Sequence, residues 1–348
     1  MICFKRFAAL ALAFALSIGL AACGGASNPN EPQSSASGSG KEASYTLKFA
    51  HEMAEGTPEA IAADLFAENV HEKTNGAVTI EVFPHGQLGD PATMIESASL
   101  GNIDLISCAS GNFARFDTIF NIDTVPYLYA DGEAFRTILK ESGAQDTQMD
   151  VLSSNGFTML NEARNCFRGP YRVLVSTRPI NTIDDLKGLR LRAFENTNYM
   201  TAYEKLGANP IILPWSDVFM SLQQGTVEAA ACAIGSLKNE GFTQVAPYVA
   251  NVNEYLSSIL IVGTESALEK LPPEYIEILK ECADQFGEDV DTAMNESLDE
   301  QIAAMEAEGA TFVEVDTAPA REVLKDFYYS LEESGVLPKG TVDISLAQ

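Results

Sequence analysis

The sequence predicts an α/β protein of two lobes bridged by one long helix. Three observations carry that prediction. A strand–helix–strand pattern opens the folded part, a second alternation of strands and helices follows residue 180, and an amphipathic run extends from Pro272 to Met305. The chain has 348 residues, too many for one hydrophobic core of ordinary size. Its hydrophobic content of 46% is that of a folded protein rather than a disordered one.

The first element is an address. Lys5 and Arg6 precede the apolar run Phe7 to Leu20, which has the plan of a secretory signal and is too short for a lasting membrane span. The run ends in Leu20-Ala21-Ala22-Cys23-Gly24, which resembles the bacterial lipobox. That resemblance implies cleavage after Ala22 and lipid attachment to Cys23; the plainer reading is an ordinary signal with an incidental cysteine. Residues 1–22 are thus expected to be a lipoprotein signal peptide. Residues 23–44, rich in Gly, Ser, Asn, Pro and Ala, are expected to be a flexible tether, because they hold too little apolar surface to fold.

Tyr45 to Ala50 alternates as a strand. Thr57-Pro58-Glu59 starts a helix, with Thr as cap and Pro in the first turn, and Ile61, Leu65, Phe66 and Val70 form its expected apolar face. Gly76 breaks the pattern, and Val78 to Val82 alternates again, which completes a βαβ unit. Later, Ile183 to Lys187 reads as a helical turn, Leu189 to Phe194 as a strand and Asn198 to Leu206 as a helix. Ile211 to Leu213 is a strand, Ser216-Asp217 caps a helix stopped by Gly225, and Thr226 to Ala230 is a further strand. In the last long segment Tyr275, Leu279, Cys282, Phe286, Val290, Met294, Leu298, Ile302 and Met305 follow helical steps. A helix of roughly 30 residues is about 45 Å long, enough to cross both lobes. The expected division is 45–170 with about 258–297 in lobe I, and 171–257 with about 298–348 in lobe II.

The formal charge is −27, from 22 Lys and Arg against 49 Asp and Glu, which excludes nucleic acid as a natural partner. Removing residues 1–22 takes two positive charges and no negative ones, so the mature charge is −29. Such a field repels anions at long range, so an acid would have to be held by a local, desolvated arginine site. By itself it favours a cationic solute, delivered to an ATP-driven importer, and a cage of aromatics and acids would be its mark. The six cysteines, at 3, 23, 108, 166, 232 and 282, form no CxxC pair, and three histidines make no zinc cluster. Free buried thiols are expected at the last four. No metal or cofactor is expected. Neither GxSxG nor HExxH occurs, so the residues offer an enzyme little chemistry.

The order of short motifs carries a resemblance. Arg172 is followed by Arg178-Pro179-Ile180, Asp184-Asp185-Leu186-Lys187-Gly188-Leu189-Arg190-Leu191-Arg192, Leu206-Gly207-Ala208-Asn209-Pro210, Pro214-Trp215-Ser216-Asp217 and Gln224-Gly225-Thr226-Val227-Glu228. Upstream stand Gly56-Thr57-Pro58, Phe83-Pro84, Gln87-Leu88-Gly89-Asp90, Gly101-Asn102-Ile103-Asp104 and Val125-Pro126-Tyr127. From about residue 45 onward the chain resembles the DctP-type substrate-binding proteins of tripartite ATP-independent periplasmic (TRAP) transporters. The resemblance implies a periplasmic-binding-protein-like fold and an exported, non-enzymatic protein. It would work as a monomer at the outer face of the cytoplasmic membrane or in the periplasm. It would hand a small organic acid, such as a sugar, hydroxy or keto acid, to the membrane subunits of a TRAP transporter.

Arg192 matches the family arginine that pairs with the ligand carboxylate, a role suited to a permanently charged, forked guanidinium. Strand alternation puts Arg190 and Arg192 on one face and does not choose between them; the resemblance chooses Arg192. The competing reading is a structural ion pair. Arg172 matches a second ligand-contacting arginine, with Arg164 and Arg168 close in sequence. Trp215, the only tryptophan, stands where the family has an aromatic wall. Glu195 and Asn196 lie at a helix start that could present N–H groups to an anion. Cys232 falls within Glu228-Ala229-Ala230-Ala231-Cys232-Ala233, where many members read Asp-Gly-Gln-Glu-Asn-Pro, and replaces a polar contact by a weak donor. The family's frequent Asn-His pair is Asn253-Glu254 here. In lobe I, His51, Glu52, Ser110 and Asn112 are candidates for ligand-facing positions, the competing reading being that each lies merely nearby. Ala109 and Pro91 stand where sialic-acid binders have acids, which argues against sialic acid. Glu52 and Glu254 would accept hydrogen bonds from ligand hydroxyls.

Overall fold

The computed structural model describes residues 44–347. The signal segment, Cys23 and the tether up to residue 43 lie outside the described residues. The first half of the fold runs β1 (Tyr45–His51), α1 (Pro58–Lys73), β2 (Val78–Phe83), α2 (Pro91–Ser99), β3 (Leu105–Ala109), α3 (Gly132–Glu141), α4 (Ala144–Ser154) and β4 (Phe157–Met159). There follow β5 (Arg172–Ser176), β6 (Arg190–Ala193), α5 (Thr197–Lys205), β7 (Asn209–Ile212), α6 (Val218–Gln224), β8 (Ala229–Ala233), α7 (Ile234–Leu237) and β9 (Tyr248–Asn251). The chain then forms β10 (Ile259–Thr264), α8 (Glu265–Leu268), α9 (Pro273–Ala307), β11 (Thr311–Glu314), α10 (Ala318–Glu333) and α11 (Thr341–Leu346).

Two mixed sheets form the two lobes. One has the order β2-β1-β3-β10-β4 and the other β11-β9-β5-β8-β6-β7. β1 pairs with β2 and β3 in parallel, as the βαβ reading requires, while β10 returns antiparallel between β3 and β4. Thr57 caps α1, its hydroxyl accepting from the Ala60 N–H at 3.3 Å, with Pro58 in the first turn. The chain turns after α1 through Asn75 and Gly76, both in the left-handed region.

α9 is 35 residues long, about 52 Å at the usual rise. Its first half, through Leu279, Cys282, Ala283, Phe286 and Val290, packs into the core under the first sheet with Phe49, Phe66 and Val70. Its second half, through Leu298, Ile302 and Met305, packs with Val173, Val175, Phe242 and Val249 under the second. One element therefore belongs to both cores. α10 and α11 pack against α5 and α3, and Tyr328 donates to the Pro126 carbonyl at 2.8 Å.

Three local expectations are corrected. Ile61 and Leu65 of α1 are exposed; the buried face is instead Glu59, Ala60, Ala62, Ala63, Phe66 and Val70. Alanines let α1 lie close against α9, and larger side chains would hold the two helices apart. The strand expected at 226–230 is Ala229–Ala233, buried throughout as a central strand should be. Asp217 makes no side-chain cap, because a 3-10 turn over Trp215–Asp217 runs straight into α6. The four described cysteines are free and buried, as expected.

Candidate functional site

In the second sheet β6 and β8 run parallel and β5 runs against β8, with Arg192 opposite Ala230 and Arg172 opposite Ala233. This brings both arginines to the side of the sheet where parallel strands end, the usual place for a ligand crevice in α/β folds. Arg192 is half-buried. Its Nε donates to the Leu213 carbonyl at 3.1 Å, and its guanidinium lies 5.2 Å from the Trp215 ring centroid. Among the described residues no carboxylate pairs with it. Burial lowers its pKa from the ordinary arginine value, and the charge of Arg172 pushes the same way. Arg190, on the same strand face, is exposed and bonds to Glu228 at 3.5 Å and to the carbonyls of Thr226 and Gly225. The structural ion pair thus describes Arg190, and Arg192 is the guanidinium with free bonding capacity.

Arg172 is differently placed. Its Nε donates to Glu254 at 2.9 Å, its Nη1 to the Ser257 hydroxyl at 2.6 Å, and its plane lies 4.5 Å from the Tyr255 ring centroid. Glu254 has no exposed surface and accepts further hydrogen bonds from the Tyr199 hydroxyl at 3.1 Å and from the Tyr203 hydroxyl. Burial opposes the Arg172 charge, but Tyr255 and Glu254 outweigh it and hold the pKa above the ordinary value.

A third arginine closes the other side. Arg168 donates through Nε to Glu59 at 2.9 Å and through Nη2 to Glu52 at 2.7 Å, and the Ser107 hydroxyl donates to Glu59 at 2.9 Å. A small cavity beside this triad is lined by Met53, Thr57, Ser236 and Met294. His51 is fully buried, and neither ring nitrogen has a hydrogen-bond partner among the described residues. Burial lowers its pKa, so the imidazole is neutral at pH 7.

Cys232 is buried on β8, its thiol donating to the Ala233 carbonyl at 3.2 Å, and burial pushes its pKa up to about 12. Arg168, Arg172 and Arg192 all lie close enough to act on it electrostatically. Trp215 is partly exposed and donates through its indole N–H to Glu240 at 3.0 Å. Asn196 caps α5 by accepting from the Tyr199 N–H, and its amide donates to Asn121 and Thr124 in the first half of the chain. Glu195 is exposed beside it. Ser110 is buried at the start of a 3-10 turn, its N–H donating to the Ser258 carbonyl, while the Asn112 amide donates to the Ala109 carbonyl. Arg164 is held in a buried pair with Asp123 and also donates to the hydroxyl of Ser258, whose carbonyl receives the Ser110 N–H.

Sequence reasoning missed Glu59, read only as part of a helix start, and the triad it forms with Arg168 and Glu52. It also missed that Glu254 is the counter-ion of Arg172. The available signal was the acid at 254 in place of a neutral or basic residue; its partner arginine stands 82 residues earlier in the chain.

Residues 49–334 match the family model described as DctP, bacterial extracellular solute-binding protein, family 7. The chain is similar to the 2,3-diketo-L-gulonate-binding periplasmic protein YiaO of Escherichia coli, 29% identical over 246 residues, covering 70% of this chain and 74% of that one. It is also similar to the C4-dicarboxylate-binding protein DctB of Bacillus subtilis, 26% identical, covering 79% of this chain and 77% of that one. Among solved structures, a TRAP periplasmic solute-binding protein from Ochrobacterium anthropi with bound L-fuconate superposes with a TM-score of 0.76. The two are 26% identical, and the match covers 87% of this chain and 99% of that one. The chain therefore belongs to the DctP family of bacterial extracellular solute-binding proteins, the exported substrate-binding components of TRAP transporters rather than enzymes.

Proposed function

We propose that this protein captures a small organic acid by its carboxylate on Arg192 and presents it to the membrane subunits of a TRAP transporter. One observation carries the assignment of the residue. Arg192 is the guanidinium of the cleft with no acid of its own, oriented by the Leu213 carbonyl and by Trp215. A half-buried charge with unsatisfied donors suits a bidentate anionic partner. Arg172 contributes through donors that Glu254 and Ser257 leave unused, and Tyr255, Tyr199 and Trp215 form apolar walls. Cys232 gives the β8 side of the site a non-ionic surface. The helix start at Glu195 and Asn196 and the first-lobe groups His51, Glu52 and Ser110 face the rest of the ligand. The relatives bind 2,3-diketo-L-gulonate, C4-dicarboxylates and L-fuconate, by their names, and this range supports an acid without fixing which one.

A cationic ligand is not favoured, because the acids beside the arginines are already engaged. Glu52 and Glu59 are held by Arg168, and Glu254 by Arg172. The lobes are assigned as 45–170 with 258–297 and 171–257 with 298–348, with closure bending α9 between its two halves. The mature protein is a monomer held to the membrane by lipid on Cys23. Mass spectrometry of Cys23→Ala against the native chain, with membrane fractionation, tests the anchor. Calorimetric titration with a panel of acids and amines tests the ligand class. Arg192→Ala should lose about 100-fold or more in affinity, roughly 3 kcal/mol, as a desolvated charge pair is truncated. Full affinity in that variant overturns the assignment.

A further inference from the structure

The charges of the cleft are distributed unequally. The charges of Arg168, Arg172 and Arg192 all act on Tyr255 and Cys232, and the Arg172 guanidinium lies 4.5 Å from the Tyr255 ring centroid. Arg168 holds two carboxylates, Glu52 and Glu59, so that triad keeps one net negative charge. Arg172 holds one, Glu254, which is fully buried and also tied to two tyrosine hydroxyls. Arg192 holds none among the described residues. A ligand with one carboxylate meets Arg192 and leaves the two other groups intact. A second carboxylate has nowhere to go. At the Arg168 triad it meets excess negative charge. At Arg172 it meets a guanidinium whose charge the buried Glu254 already neutralises, so the donors left unused offer a hydrogen bond without net attraction, and displacing Glu254 would leave a carboxylate buried without its counter-ion.

We infer that Glu254 sets the charge of the ligand: by occupying Arg172 it makes the cleft select acids with one negative charge and reject dicarboxylates. Glu254 is a specificity-determining residue that acts through Arg172. This rests on the reading that Arg192 receives the ligand's carboxylate. The uncharged end of such an acid is best a donor and acceptor of hydrogen bonds. It meets Glu52 and the fully buried His51, whose two ring nitrogens have no partner among the described residues. A polyhydroxy monocarboxylate satisfies both ends.

The test uses two matched pairs, titrated calorimetrically at neutral pH against the mature protein: succinamate with succinate, and galactonate with galactarate. Each pair keeps its carbon chain and changes one charge. The wild-type protein should bind the monoanion of at least one pair about tenfold or more tightly than its dianion. Glu254→Gln preserves size and keeps one acceptor oxygen for Arg172, while the Tyr199 and Tyr203 hydroxyls must turn to accept from its amide; the Arg172 charge is freed, so that ratio should fall about tenfold or invert. A merely structural role for Glu254 would weaken both members alike and leave the ratio unmoved, which overturns the inference. Equal or tighter binding of dianions by the wild type also overturns it, and that result stands even if the variant does not fold. If monoanions and dianions bind alike while Arg192→Ala abolishes both, the carboxylate site survives and only the charge selection falls. If none of the four acids binds, or Arg192→Ala retains full affinity, both readings fall.

Discussion

Arg164→Met should unfold the protein more readily than any surface change, and the loss can be worked from the contacts. Arg164 and its partner Asp123 are fully buried, 2.5 Å apart, and the guanidinium also donates to Gln148 at 2.5 Å and to Ser258 at 3.1 Å. Its backbone lies in the left-handed region, φ 48°, a conformation that a non-glycine residue adopts at a cost. Removing the guanidinium leaves the Asp123 carboxylate without a counter-ion in the core, a loss of about 3–5 kcal/mol. For about 300 folded residues the unfolding entropy at the midpoint is about 0.6 kcal/mol per degree, so the midpoint should fall by about 5–8 °C. Differential scanning calorimetry of the ligand-free protein reads this directly. The companion Arg164→Met with Asp123→Asn removes the orphaned charge and keeps an acceptor for the Gln148 amide, which donates to Asp123 at 3.1 Å. It should recover more than half of the loss. A drop below about 2 °C in the single variant, or a double variant no more stable than the single, refutes the claim that an uncompensated buried charge is the cause.

Other outcomes follow from the same geometry. Burial lowers the folded pKa of His51 below 6.5, with Glu59, Arg168, Asp64 and Glu52 as its charged neighbours, so the unfolded chain binds more protons as pH falls through that value. Its contribution is therefore complete above about pH 6.5 and is lost on acidification toward the depressed folded pKa. Chemical denaturation at pH 7.5 and 5.5 should show a smaller acid-induced loss in His51→Gln than in the native protein. Gly287→Ala should destabilise by about 1–3 kcal/mol although alanine favours helices, because a Cβ there meets the Asn165 backbone at 2.9 Å; a stabilised variant in denaturant titration refutes the close approach. The only tryptophan, Trp215, stacks on Arg192, so ligand binding should change its emission, and a spectrum unaltered by saturating ligand contradicts the placement of the carboxylate there.

What the sequence shows plainly is what rests on neighbours along the chain. Thr57 and Pro58 start α1, and the apolar spacing from Leu279 to Met305 predicts α9, because helix periodicity and capping are local properties. The failures are where partners come from far away. Ile61 and Leu65 carry the stronger hydrophobic signal, but α9 approaches α1 on its alanine face. Five consecutive small residues in β8 give no alternation from which to set its limits, since both faces of that strand are covered. The site divides in the same way. Alternation could not separate Arg190 from Arg192; their difference is that Glu228 and the Gly225 carbonyl reach only the first. The resemblance named Arg172, but its pairing with Glu254 spans 82 residues and is visible only in three dimensions.

The place of β10 bears on how the protein reaches its destination. It lies between β3 and β4, so the first sheet stays split until residues 259–264 are available, long after β1 to β4 have been made. A chain emerging from the ribosome therefore cannot finish its N-terminal lobe by itself, and the contacts that close it are among the most distant in the sequence. Contacts so distant in sequence close slowly, because the loop entropy is lost before the pairing is gained. For an exported protein, this order of strands lengthens the stretch of chain that must be made before the first sheet can close.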